Sequence, residues 1–146
     1  MSIIGTLENK LLLEYKKKWL QNASIERSLV ESSYDWLKLE YEDGFLKGNG
    51  NLSTPSNSYL VEVLYSPFFK GRFDRIYIRN ANIKYNSKIH LYADLSLCLY
   101  HPRFDKPLGK IIPLVKMIPW ISEWCIHYEE WKKYGIWFGK EISHEV

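Results

Sequence analysis

Thiols are scarce in this chain: Cys98 and Cys125 are its two cysteines, with no CxxC pair and no other metal-ligand spacing. That argues against a disulfide-stapled secreted scaffold and makes a reducing cytoplasm the expected compartment. Long hydrophobic runs are missing as well. None approaches the roughly 20 apolar residues that a membrane span needs, so no membrane partner is expected. The N-terminal stretch MSIIGTLENKLLLEYKKKW lacks a basic lead into an apolar core and a small-residue cleavage site, and does not read as a signal peptide. There is no glycine-rich phosphate loop: the GNG at Gly48 to Gly50 has neither the strand-to-helix setting nor a following Lys-Ser/Thr pair. Excess charge of one sign is also lacking. A net charge of +3 is too mild to mark a nucleic-acid module, which concentrates Lys and Arg on one face. No motif implies a cofactor.

Aromatic and apolar residues are what the chain has in quantity. Hydrophobic residues make up 46% and aromatics 16%, too much for a disordered chain and enough for one well-buried core. At 146 residues, a single domain over 1–146 is expected. Leu7, Leu11, Tyr15 and Trp19 recur at every fourth position beside Leu12, with Glu8, Lys10, Glu14 and Lys17 elsewhere. That spacing predicts an amphipathic helix over 6–22, capped by Thr6, and a further short helical turn fits 25–30. The period then falls to two. Leu37, Leu39 and Tyr41 share one face of YDWLKLEY, Tyr59, Val61, Val63 and Tyr65 one face of YLVEVLY, and Ile76 and Ile78 one face of RIYIR. Residues 44–58, rich in Gly, Ser, Asn and Pro, read as a polar link with room for a short strand at 45–47. Near the C-terminus, IPWISEWCIHYEEWKKYG reads as a helix with Pro119 at its first position. Trp120, Trp124, Tyr128 and Trp131 form its stripe, and Gly135 is its stop. The tail is expected to be ordered through Phe138. Strands in a run between helices give an α+β domain: N-terminal helix, antiparallel meander, irregular cysteine-bearing segment and C-terminal Trp-rich helix.

Chemistry centres on IHLYADLSLCLYHP, residues 89–102. Alternation sets Leu95, Leu97 and Leu99 on one side and Ser96, Cys98 and Tyr100 on the other, so Cys98 lies among polar-capable neighbours. A free cysteine is commonly core filler, and reactivity requires a setting that favours the thiolate. His90 and His101 are the local candidates to provide one. Their spacing, with no third ligand in step, is poor for a metal. Cys125 lies beside the buried stripe of its helix and reads as core. His127 reads as solvated, and His144 in the tail carries no signal. Lys16, Lys17 and Lys18, interleaved with Tyr15 and Trp19, fit the solvated face of a helix whose aromatics point inward.

These features together resemble the ubiquitin-conjugating (UBC-fold) family, in particular the small bacterial members linked to cGAS-like antiphage signalling operons (CBASS). The resemblance runs over roughly residues 34–140. It is carried by the helix-then-meander order, by YSPFFKGRFDRIYI at the family's proline-bearing turn, and by HLYADLSLCLYHP, which is similar to the histidine-tripeptide segment leading to the family cysteine. PWISEWCIHYEEWKKYGIWFG is similar to the bacterial subgroup's Trp-rich helix and Gly-x-Trp-x-Gly element. The resemblance implies that Cys98 accepts an acyl group as a thioester and passes it to an amine, with His90 at the histidine of the tripeptide. Where familiar members continue Pro-Asn, this chain continues Leu91-Tyr92. The Asn amide would supply an oxyanion donor, a contribution of about 3–4 kcal/mol to the barrier; either His90, Tyr92 or backbone N–H groups replace it, or transfer to lysine is slow or absent.

The expected function is therefore thioester formation at Cys98, an exposed cysteine on a shallow segment, and conjugation of a protein C-terminus to an amine in antiphage defence. Expected partners are a cGAS-like nucleotidyltransferase or a ubiquitin-like donor, with either an activating enzyme acting in trans or a carboxyl group that arrives already activated. Two alternatives stay open: a non-catalytic adaptor of the same fold with Cys98 buried, and a nucleic-acid module using Lys16 to Lys18, Lys84 and Lys88, marked by a steep salt dependence of binding.

Overall fold

A computed structural model of the chain describes residues 3–100 and 111–139, with side chains from residue 9 onward. Two helices, α1 (Ile3–Lys17) and α2 (Trp19–Ser33), precede four strands: β1 (Leu37–Glu42), β2 (Phe45–Ser53), β3 (Ser58–Tyr65) and β4 (Asp74–Ile78). An irregular stretch with one short 3-10 turn (Ser87–Ile89) follows, and then a long helix, α3 (Leu114–Tyr134). The strands form one antiparallel sheet in the order β1-β2-β3-β4, which is the expected α+β meander between helices.

The N-terminal helix differs from its sequence reading at both ends. It starts at Ile3, so Thr6 lies inside it and is not its cap. It breaks at Lys18, whose N–H is shared between the carbonyls of Glu14 and Tyr15, and resumes as α2 through residue 33. The buried face of α2 is Trp19, Ala23, Glu26 and Val30. A methyl group and a carboxylate on that face blunt the apolar period, which is why only a single turn was legible at 25–30. Leu11 was expected in the buried stripe but is exposed, whereas Trp19 is fully buried.

The segment 44–58 is mostly a strand. Asp43 and Gly44 take left-handed backbone, with φ of 50° and 89°, and make the two-residue turn whose twist suits an antiparallel hairpin. β2 then runs in register against β1, Leu46 opposite Tyr41 and Gly50 opposite Leu37. Its glycines serve close approach. A Cβ on Gly48 would fall against the carbonyl of Lys38, and one on Gly50 against that of Trp36. On β1, Leu37 and Leu39 are buried as expected, but Tyr41 sits at the rim, its ring 6.4 Å from that of Trp19. The N–H of Leu39 donates to Glu31 Oε2 (2.9 Å), which occupies part of the sheet edge with a side chain. β3 buries Tyr59, Val61, Val63 and Tyr65, and β4 buries Asp74, Ile76 and Ile78.

α3 begins at Leu114 after Pro113, five residues earlier than predicted, and takes Pro119 into its interior. The proline has no N–H for the carbonyl of Val115, a loss of one ladder bond near the helix start. The first helical N–H, that of Leu114, donates to Glu26 Oε2 (2.6 Å) from α2, so a buried carboxylate caps a helix distant in sequence. Leu114, Met117, Ile118, Ile121, Trp124, Cys125 and Tyr128 form the inner face of α3, and Gly135 ends it in left-handed backbone (φ 73°) as predicted.

Two outcomes test this architecture. Gly50→Ala should lose about 1–3 kcal/mol of unfolding free energy, since the new methyl must push β1 away; chemical denaturation reads it, and an unchanged midpoint would contradict the close approach. Burial raises the pKa of Glu26 above its ordinary 4.5, against the lowering effect of the Leu114 N–H. A carboxyl group raised on folding contributes stability that is complete below 4.5 and fades as pH climbs through its folded value. Glu26→Gln keeps an acceptor for Leu114 and cannot ionise. Its stability relative to the parent should therefore improve as pH rises through that window, and a pH-independent difference would contradict the account.

Candidate active site around Cys98

The segment that carries Cys98 is held to β4 and to itself by backbone hydrogen bonds. The N–H of Leu97 donates to Ile76 O (2.8 Å), that of Tyr92 to Ser96 O (2.9 Å), and that of Cys98 to His90 O (2.9 Å). His90 and Leu95 take left-handed backbone, with φ of 55° and 71°. Those two kinks fold the stretch into a tight clasp, closed by a bridge between Leu91 and Leu97.

Within the clasp the alternation holds only in part. Ser96, Cys98 and Tyr100, expected opposite the leucine face, all turn inward; Leu97 is buried as well, and Leu95 is exposed. The expectation of an exposed cysteine is overturned: Cys98 is 2% exposed. Leu97 tied to β4 and Cys98 tied to His90 draw this part of the segment into the body of the domain instead of leaving it on a shallow surface. Burial pushes the thiol up to about 11, against the lowering effects of the Tyr92 hydroxyl and the Arg72 guanidinium. The thiol also approaches the carbonyl of Tyr100, at 3.5 Å. The resting thiol is thus neutral near pH 7.

Cys98 nevertheless sits in polar company. Arg72 Nη2 donates to Ser96 Oγ (2.6 Å) and lies 3.6 Å from Asp94 Oδ1. Its Nη1 donates to the backbone carbonyl of Asp74 and lies 3.4 Å from Asp74 Oδ2. The guanidinium covers the Tyr92 ring, 3.4 Å from its centroid. Tyr92 in turn pairs its buried hydroxyl with the Cys98 thiol, and burial with that thiol holds the phenol well above its ordinary range. Asp74 is fully buried and accepts from the Tyr100 hydroxyl (2.8 Å). Asp94 is held below the usual carboxylate range: burial opposes this, but two hydrogen bonds from Ser96 and the charges of Arg72 and Arg75 prevail.

His90 is placed differently. Its carbonyl accepts from the Cys98 N–H and from Trp124 Nε1 (3.2 Å). Its ring stacks on Trp137 at 4.8 Å and 14°. The tail thus folds back over the histidine, and on its other side Trp137 meets His127, 5.5 Å away. His127 is therefore half-buried and not solvated, with Nδ1 3.3 Å from Glu130 Oε1. Cys125 is fully buried within the hydrophobic core, and burial pushes its thiol up to about 12. Lys17, Lys18, Lys84 and Lys88 are exposed, while Lys16 lies over the ring of Phe68. His101 and His144 lie outside the described residues. Among the described residues, no group of His, Cys, Asp and Glu could hold a metal ion, and no helix is long and apolar enough to cross a membrane.

A family model described as type II CBASS E2 protein matches residues 11–145. The chain belongs to that family. Membership gives it an E2-like place in CBASS antiphage defence, among protein partners of the same system. No curated protein and no solved structure matches the chain. For this CBASS E2, the family resemblance singled out Cys98 and His90, with Tyr92 as a candidate donor; the fold sets the Tyr92 hydroxyl against the Cys98 thiol, while His90 meets Cys98 through its carbonyl and turns its ring to Trp137. Sequence reading went no further at this site. It missed Arg72 and Asp74. A signal for Asp74 existed: in FDRIYI it shares the inward register of Ile76 and Ile78, and a carboxylate on an apolar face requires partners. Nothing local distinguished Arg72 from its neighbours.

Proposed function

We propose that this CBASS E2 is a single ubiquitin-conjugating-like domain over 1–146 that carries an acyl group as a thioester on Cys98 and delivers it to an amine. The observation that supports this reading most is the company Cys98 keeps. It lies among Tyr92, Arg72, Asp74 and Tyr100, while Cys125 packs in the hydrophobic core. In loading, the Cys98 thiolate attacks the carbonyl carbon of an activated carboxyl terminus. A C–S bond forms, and the bond to the leaving group, an adenylate phosphate oxygen or a donor's thioester sulfur, breaks with its electron pair. In transfer, an amine nitrogen attacks the same carbon, the C–N bond forms, the C–S bond breaks, and the amine proton passes to solvent. Sulfur suits both steps because thiolate is a good nucleophile and a good leaving group. His90 acts as a positioning residue, its carbonyl fixing the Cys98 N–H.

The acyl donor is the C-terminus of a cGAS-like nucleotidyltransferase or of a ubiquitin-like protein, activated in trans in the cytoplasm. Cys98 is 2% exposed, so docking of that donor has to bring its carbonyl within reach of the sulfur. One specific observation favours a second reading, a non-catalytic adaptor: the resting thiol is 2% exposed and pushed up to about 11.

Intact mass spectrometry without reductant, on the protein mixed with its CBASS partners, separates the two. The thioester reading expects a thiol-sensitive adduct that Cys98→Ala abolishes and Cys125→Ala retains. No adduct with any partner, or an adduct that persists in Cys98→Ala, contradicts it.

A further inference from the structure

The thioester reading needs a thiolate at a sulfur that is 2% exposed, and the clasp around Cys98 holds a pair of side chains suited to favour it. Arg72 is well sheltered for an arginine. Its side chain is 15% exposed, and four acceptors on three residues surround its two terminal nitrogens: the Ser96 hydroxyl, the Asp74 carbonyl and carboxylate, and the Asp94 carboxylate. The flat face of the guanidinium rests on Tyr92 at 3.4 Å from the ring centroid. The stack sets the plane of the ring and therefore the direction of the hydroxyl, which is paired with Cys98. Tyr92 has a second tether, its N–H on Ser96 O, and Ser96 is the same residue that holds Arg72. Cation, ring, hydroxyl and sulfur thus form one continuous line from β4 to the clasp.

We propose that Arg72 and Tyr92 act as a unit that stabilises the thiolate of Cys98, with Tyr92 donating its hydroxyl hydrogen to the sulfur and Arg72 positioning the ring and supplying positive charge. This deepens the thioester reading and rests on it for its purpose. On ionisation the Cys98 proton leaves to water and the negative charge appears on sulfur, where the phenol O–H and the guanidinium meet it. Asp74 is the charge that opposes the unit. It faces the same thiol, but the Tyr100 hydroxyl and Arg72 engage its two oxygens, which leaves less of its field for the sulfur. Asp94 and Arg75 lie farther out, 3.8 Å from each other. Burial alone would suppress the thiolate, and the phenol O–H and the guanidinium charge work against burial.

The test is the rate at which iodoacetamide alkylates Cys98 in the isolated, folded protein at mildly alkaline pH, with peptide mapping to separate Cys98 from Cys125. Below the thiol pKa the rate follows the thiolate fraction. An opposite charge a few ångström away moves a pKa by about 1–3 units, so Arg72→Gln should slow alkylation about tenfold or more and Arg72→Lys should restore part of the loss. Tyr92→Phe keeps the stack and every contact of Arg72, and should slow alkylation several-fold. The sign separates this role from a structural one, because loosening the clasp would expose the thiol and speed the reaction. If Arg72→Gln does not fold, Tyr92→Phe decides alone. A Tyr92→Phe rate equal to or above that of the parent overturns the proposal. The measurement needs no acyl donor, so it can fail while thioester formation succeeds, and the reverse.

Discussion

The guanidinium of Arg72 joins the sheet to the segment that carries the cysteine. It arrives just before β4, binds Asp74 at the first residue of that strand, and reaches across to Ser96 and to the face of Tyr92. A cation this sheltered persists only where its donors are matched, and a carboxylate as buried as Asp74 only where its oxygens are. The two requirements are met by each other and by Tyr100. Placement of the clasp is therefore a consequence of electrostatics as much as of apolar packing. Leu97 and Leu91 bury, yet it is the polar cluster that decides which atoms face the sulfur.

The long C-terminal helix fixes the other side. Its start is held by Glu26 from α2 and, one residue before Pro113, by the Tyr65 hydroxyl on the carbonyl of Ile112 (2.6 Å). Midway along, Trp124 Nε1 reaches the carbonyls of Ile89 and His90, so the helix grips the backbone immediately ahead of the clasp. Beyond its left-handed stop the chain doubles back and lays Trp137 on the His90 ring. His90 is thereby held by its carbonyl, by its neighbours' indoles and by its own left-handed backbone. Its carbonyl in turn accepts the Cys98 N–H.

Much of this frame was legible before any coordinates. The meander strands, the stripe of α3 and its glycine stop followed from period and capping chemistry, because those signals are local. β2 was read as a link because its inward set is Leu46, Gly48, Gly50 and Leu52, and two glycines hide a period of two. The Asp43-Gly44 pair was the available clue to that hairpin. α2 was read too short because Ala23 and Glu26 stand on its buried face. At the site, alternation placed polar neighbours around Cys98 correctly but gave no measure of burial, which depends on what β4 and α3 bring from elsewhere. Arg72 was illegible for the same reason: three basic residues lie in KGRFDR, Arg72 and Arg75 are sheltered alike, and only the tertiary fold says that Arg72 reaches Ser96 and Tyr92.

The chain is a type II CBASS E2 protein whose Cys98 is 2% exposed among polar side chains, and the proposed acyl transfer through that sulfur holds only if a donor can reach it. The most direct measurement replaces the labile bond with a stable one. Cys98→Lys, expressed together with the CBASS partners, should accumulate a covalent amide to a partner's C-terminus, located at position 98 by tandem mass spectrometry and resistant to thiols. A variant that folds, binds the same partners and carries no such amide would contradict transfer through this residue.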